Sequence, residues 1–241
     1  MIRLQDVCCT YGDGDVLSHL DLEIHTGAAV AFIGPNGCGK STLMKLLAGV
    51  LFARVGCYHF DGEPITARRL EDQAFAKRFH QRVGLLFQAS DAQLFCPSVG
   101  EEVAFGPRQM ALSEEEVRRR TDDSLRLLGM GTLGDRVPYH LSGGEKRRVA
   151  LASVLALNPD VLLLDEPMNG LDPRMKEFLR RLLLDLNGTG KTIICSTHDL
   201  RYVDGVFDTA VVLSEDHRIA RIGPYGEVVA DEAFLREMNV V

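Results

Sequence analysis

No stretch of the 241-residue chain approaches the roughly 18 consecutive apolar residues of a membrane-spanning helix. The opening residues, Met1-Ile2-Arg3-Leu4-Gln5-Asp6, lack a charged-then-apolar leader, so the chain is expected in the cytoplasm. The six cysteines (Cys8, Cys9, Cys38, Cys57, Cys96, Cys195) never fall at C-x-x-C spacing. That argues against a zinc site or disulfide frame and predicts reduced, mostly buried thiols. The seven histidines show no metal-ligand spacing. Basic residues are outnumbered, 27 Lys and Arg against 34 Asp and Glu, and the net charge of −7 speaks against a nucleic-acid-binding face. Repeats, low-complexity tracts and long linkers are absent.

What is present is an apolar fraction of 46%, ample for a sizeable core. Residues 2–9 and 16–24 read as strands around the turn residues Gly12-Asp13-Gly14, an antiparallel element. A short apolar run at 29–33 ends in Gly34-Pro35-Asn36-Gly37, and residues 42–48 read as a helix. Further strands are expected at 55–60, before Asp61-Gly62, and at 85–88. A mostly helical block follows over about 90–157, with a capping box at Ser113 and Glu116 opening a helix through Leu128. Strands at 161–164 and 192–196 flank a helix at 175–186. The order predicts one α/β domain over 1–241: a core from about 1–89 and 158–241, interrupted by a helical subdomain at about 90–157.

Three stretches carry chemistry. "GPNGCGKST", Gly34 to Thr42, matches G-x-x-x-x-G-K-[ST] with a strand before it and a helix after it. Its backbone N–H groups would cradle a nucleoside triphosphate, Lys40 would add charge at the β and γ phosphates, and Ser41 would offer a hydroxyl to Mg²⁺. "VLLLDEP", Val161 to Pro167, places two carboxylates at the carboxyl end of a buried strand, where open α/β sheets bind ligands. Asp165 would face the metal and Glu166 would act as general base toward water. "ICSTHDL" ends a strand near His198, a candidate sensor of the γ-phosphate, and Gln88 is a candidate for Mg²⁺ or water.

A fourth stretch, "HLSGGEKRRVALASVLALNP", poses a local contradiction. Ser142 and Glu145 form a capping box, and Val149, Leu151, Ala152, Leu155 and Ala156 continue an apolar stripe. The first turn nevertheless holds Gly143 and Gly144, each about 1 kcal/mol worse than Ala in a helix. Bare backbone at a helix N-terminus admits an anion closely, so residues 142–144 read as a second phosphate site. It lies 142 − 40 = 102 residues from Lys40, which leaves open whether the two sites meet across a dimer. Cys38, in the phosphate loop beside Lys40, is expected to ionise readily and to be shielded by ATP.

In order and spacing, Gly34 to Ser41, Gln88, Leu141 to Glu145, Val161 to Glu166, Gly170-Leu171-Asp172 and His198 resemble the Walker A, Q-loop, signature, Walker B, D-loop and switch motifs of ATP-binding cassette (ABC) ATPases. The resemblance implies a P-loop NTPase core with an antiparallel β-subdomain and an inserted helical subdomain. It implies ATP and Mg²⁺ as ligands. ATP contacts would come from Gly34, Pro35, Asn36, Gly37, Cys38, Gly39, Lys40, Ser41 and Thr42, with Gln88, Ser142, Gly143, Gly144 and Asp172. It also implies a head-to-tail dimer, with a second copy or a paralogue, that sandwiches ATP between Walker A and the opposite signature. Tyr11 resembles the aromatic that stacks on adenine.

Within that family, the segments from Asp91 to Pro107 and from Leu141 to Pro173 are similar to cobalt, nickel and energy-coupling-factor vitamin importers. Residues Asp91 to Met110 would receive a transmembrane coupling subunit, through Phe95, Phe105 and Pro107, on the cytosolic face of the cell membrane. Met168 departs from the family's usual Thr. Two alternatives stand beside this reading: a non-transport ABC ATPase of DNA repair or translation, and a small-molecule P-loop kinase, which the signature glycines disfavour.

Overall fold

The computed structural model describes residues 1–11, 14–89, 93–200 and 203–241, except the side chain of Tyr11. Strand β1 (Ile2–Tyr11) pairs antiparallel with β2 (Gly14–Ile24). A later strand, β4 (Val55–Phe60), pairs with its other edge and turns through Asp61-Gly62 into β5 (Glu63–Pro64). These four form one sheet in the order β2-β1-β4-β5.

The second sheet has six strands in the order β10-β9-β3-β8-β7-β6. Strands β3 (Ala29–Ile33), β6 (Val83–Leu86), β7 (Val161–Asp165), β8 (Thr192–Ser196) and β9 (Thr209–Leu213) run parallel, and β10 (Ile219–Pro224) adds an antiparallel edge. Every residue of β3, β7 and β8 is buried, as central parallel strands covered on both faces require, and their polar residues, Asp165, Thr192 and Ser196, stand at strand ends. Alternation along the strands divides the core in two. Ala29, Ala31, Ile33, Leu162 and Leu164 face one apolar cluster; Val30, Phe32, Val161 and Leu163 face the other, which includes the four-stranded sheet.

Helix α1 (Lys40–Leu47) follows the phosphate loop, and short α2 (Ala67–Leu70) and α3 (Gln73–Arg82) precede β6. Between β6 and β7 come α4 (Val99–Gln109), α5 (Glu114–Leu127), a 3₁₀ turn (Pro138–His140) and α6 (Gly143–Leu155). Their apolar faces, among them Val99, Val103, Leu125, Leu128, Val149 and Ala152, merge with the first cluster. Helix α7 (Pro173–Gly188) connects β7 to β8, and α8 (Tyr225–Ala230) and α9 (Glu232–Glu237) close the described chain. No helix among the described residues is long and apolar enough to cross a membrane.

Several local readings need correction. β6 starts at Val83 and ends before Gln88, and α1 starts at Lys40 instead of Thr42. Ser113 caps α5 by accepting from Glu116 N at 3.3 Å, but the Glu116 carboxylate turns to Arg119 and Arg120, leaving half a capping box. The box at α6 is complete: Ser142 Oγ accepts from Glu145 N at 3.4 Å, and Glu145 Oε2 accepts from Ser142 N at 2.8 Å. The cysteines are mostly buried, as expected: Cys8, Cys9, Cys38 and Cys195 are buried, Cys96 is partly exposed and Cys57 is exposed.

Candidate functional site

The parallel strands bring the phosphate loop, Gln88, Asp165, Glu166 and His198 to one edge of the six-stranded sheet. The loop from Gly34 to Gly39 turns directly from β3 into α1, and two glycines show why it needs them. Gly39 sits at φ 107°, and a Cβ there would lie 2.5 Å from the Val16 carbonyl oxygen, so no side chain fits. Gly37, at φ 84°, has open space where its Cβ would be, on the wall of a cavity. Lys40 is buried to 8% exposure, and its ammonium donates to Gly34 O at 2.6 Å and Pro35 O at 2.9 Å, which holds it over the loop.

A cavity of about 310 Å³ opens above the loop, walled by Asn36, Gly37, Gly39, Lys40, Ser41, Thr42, Gln88 and Glu166, with Val16 at its side. A second, of about 420 Å³, shares Ser41 and Gln88 with the first and adds Asp165. The three residues expected to hold a metal thus line one space and offer hydroxyl, amide and carboxylate oxygens, a hard donor set that fits Mg²⁺. Gln88, exposed and two residues beyond the end of β6, reaches both cavities.

The two acidic residues at the end of β7 are held by its neighbour β8. Ser196 Oγ donates to Asp165 Oδ1 at 2.5 Å and accepts from Glu166 N at 3.0 Å. Glu166 takes φ 50°, a left-handed conformation that costs a non-glycine residue on the order of 1–3 kcal/mol and persists only where its surroundings enforce it. Its side chain is 9% exposed, and Oε2 lies 2.8 Å from Nδ1 of His198, whose side chain is 55% exposed. The buried general-base candidate and the sensor candidate are therefore direct partners.

Ser142, Gly143 and Gly144 line neither cavity. Ser142 and Gly143 are exposed, and a Cβ at either glycine would meet nothing within 4 Å. Among the described residues, nothing in this chain's own packing calls for glycine there. Asp172 also lies outside both cavities; it caps α7 by accepting from Met175 N at 2.9 Å. The side chain of Tyr11 lies outside the described residues, as do Gly12, Asp13 and Asp91.

Cys38 departs from expectation. It is 1% exposed, with its sulfur 3.8 Å from the Lys40 ammonium, and burial pushes its thiol above the ordinary range despite the lysine charge. Desolvation outweighs the helix terminus and the cation, so the residue is a filler beneath the loop. Pro107 departs too: it is buried within α4, whereas Phe95 and Phe105 stand 68% and 42% exposed, stacked edge to face with ring centroids 5.0 Å apart. They flank a groove of about 230 Å³ that also includes His80 from α3 and Ala150, Ser153 and Val154 from α6. Met168 is 1% exposed and packs in the first apolar cluster.

Three contributors had no assigned role in the sequence reading. Ser196 holds the Asp165 carboxylate and the Glu166 backbone. Glu102, 4% exposed on α4, accepts from Phe95 N at 2.8 Å and Cys96 N at 2.7 Å and so shapes the loop bearing Phe95. Arg147 on α6 donates to backbone carbonyls of the loops after β6 and β7. Ser196 at a strand end was readable from its place in "ICSTHDL"; the other two bond main-chain atoms, which leave no trace in spacing.

The family model for ABC transporters matches residues 17–169, from β2 through the phosphate loop to the residues after Glu166. The chain belongs to the ABC transporter ATPases. As an ABC ATPase it binds and hydrolyses ATP. It is 47% identical over 219 residues to the nickel import ATP-binding protein LarO of Lactiplantibacillus plantarum, covering 91% of each chain. Its fold superposes on cbiO1 from Clostridium perfringens, part of the transporter complex cbiONQ, with a TM-score of 0.82 and 35% identity over 99% of this chain and 94% of that one. A dimeric post-hydrolysis state of the ATP-binding cassette MJ0796, bound to ADP and Pi, gives a TM-score of 0.84 at 29% identity, covering 93% of this chain and 99% of that one.

Proposed function

We propose that two copies of this ABC ATPase close head to tail over two ATP molecules and that hydrolysis drives import of a divalent transition-metal ion, nickel or cobalt, through a membrane partner. The observation that carries the reading is the split site. The cavity over the phosphate loop joins Lys40, Ser41, Gln88 and Glu166 but excludes Ser142–Gly144, whose glycines nothing among the described residues explains. Because one chain carries both halves, a second copy completes both sites. The dimeric ADP-bound cassette supports the pairing, likeness to cbiO1 supports a transporter complex, and likeness to the nickel import ATP-binding protein LarO supports the cargo class.

In this reading the Gly34–Gly39 amides and Lys40 hold the phosphates, and Ser41, Gln88 and Asp165 supply oxygens to Mg²⁺, whose charge offsets that of the transferring phosphoryl group. Glu166, oriented by Ser196, accepts a proton from the attacking water, and His198 holds its carboxylate from the open side. Phe95 and Phe105 give the membrane partner an apolar seat, which puts the chain peripherally on the cytosolic face.

The test is purification of tagged Glu166→Gln chain from detergent-solubilised membranes of its host with ATP present, followed by metal and vitamin analysis. A co-purifying membrane protein with nickel or cobalt is expected. A bound vitamin without metal overturns the cargo, and the absence of any membrane protein overturns transport.

A further inference from the structure

Arg147 sits five residues into the capped segment that begins at Ser142, at the point where α6 passes both catalytic loops. Its guanidinium donates to four backbone carbonyls: Nη1 to Asn169 O and, at 3.4 Å, to Glu166 O and Pro167 O, and Nη2 to Gln88 O at 2.7 Å. Three acceptors belong to the loop after β7, which carries Glu166; the fourth belongs to the residue whose side chain reaches both cavities.

Glu166 is gripped from two sides. Ser196 holds its N–H at 3.0 Å, and Arg147 holds its carbonyl and the two that follow closely. A left-handed glutamate needs such enforcement, and a planar fork with five fixed donors supplies it where a point-charge ammonium cannot. The same helix lines the Phe95–Phe105 groove one turn further on, through Ala150, Ser153 and Val154. One rigid element therefore joins the groove, the Gln88 loop, the Glu166 loop and the Ser142–Gly144 terminus.

We propose that Arg147 is a positioning residue that fastens the Glu166 and Gln88 loops to α6, so that displacement of α6 from the groove moves the general base and the Gln88 loop together. The inference rests on Glu166 being the base.

The test is steady-state ATP hydrolysis by the purified full chain carrying Arg147→Ala or Arg147→Lys, with melting temperature and ATP binding measured alongside. Arg147→Ala is expected to lower kcat by about tenfold to a hundredfold while ATP KM stays within about twofold, the size of a misplaced catalytic group. Arg147→Lys should recover little, and ethylguanidinium added to Arg147→Ala should restore part of the rate, which relief of a folding defect would not do. In the Glu166→Gln background, Arg147→Ala should still accumulate the ATP-bound dimer. An unchanged kcat, a KM that rises in step, absence of guanidinium rescue, or loss of that dimer overturns the proposal. If Glu166→Gln alone hydrolyses ATP at the wild-type rate, the base assignment fails instead.

Discussion

Glu166 and His198 meet at 2.8 Å, a nearly buried carboxylate against a half-exposed imidazole, at the open end of two adjacent parallel strands. Glu166, its backbone N–H held by Ser196, also lines the cavity that Lys40 and Ser41 share. Glu166→Gln keeps shape and loses the proton acceptor. Its hydrolysis rate should fall by about 10²-fold to 10⁴-fold with ATP binding retained, and the ATP-bound dimer should accumulate on gel filtration.

Gly144→Val should separate fold from function. The new side chain meets open space within the chain, and valine costs a helix slightly less than glycine, so the melting temperature should hold or rise slightly. Hydrolysis should vanish, because the side chain occupies space that the opposite subunit's phosphate needs. Normal activity in this variant would remove the second phosphate site.

Thiol labelling should follow burial. Brief maleimide treatment at pH 8 should modify Cys57 first, because it is exposed. Cys96 should lag, since burial and Glu102 push its thiol up to about 11, and Cys38 should stay unmodified with or without ATP. Mass spectrometry that finds Cys38 labelled ahead of Cys57 would contradict its place beneath the loop.

The α6 cap carries a pH signature. The Ser142 hydroxyl and N–H hold Glu145 below the ordinary glutamate range. A carboxylate depressed on folding contributes stability above its unfolded pKa, and that stability is lost as pH falls through the lower folded value. Glu145→Gln should therefore melt below wild type at pH 7, and the gap should close in acid below pH 4.5.

Strands β3, β4 and β8 were legible residue for residue, β3 from an apolar run of five ended by the glycine loop and β8 from a short β-branched stretch, Thr192-Ile193-Ile194, whose length suits a strand and not a helix. Helices α2 and α3 were not, since α3 buries only Phe75 and Phe79 among charged neighbours and gives little apolar periodicity. The site divides the same way. Lys40, Asp165 and Glu166 sit in motifs whose spacing encodes their geometry. The direction of the Cys38 side chain depends on packing against Gly34, and Arg147 binds carbonyls that any residue could present.

The split site itself is tested most directly by mixing two inactive chains. Lys40→Ala disables the phosphate loop and Gly144→Val the facing glycines. In a head-to-tail mixed dimer both lesions fall in one site and the other is wholly intact. Equal mixing makes about half the dimers mixed, each with one good site, so activity should return to about a quarter of wild type if sites act independently. Recovery toward that level is the predicted result, and a mixture no more active than either variant alone would contradict a site shared between two copies.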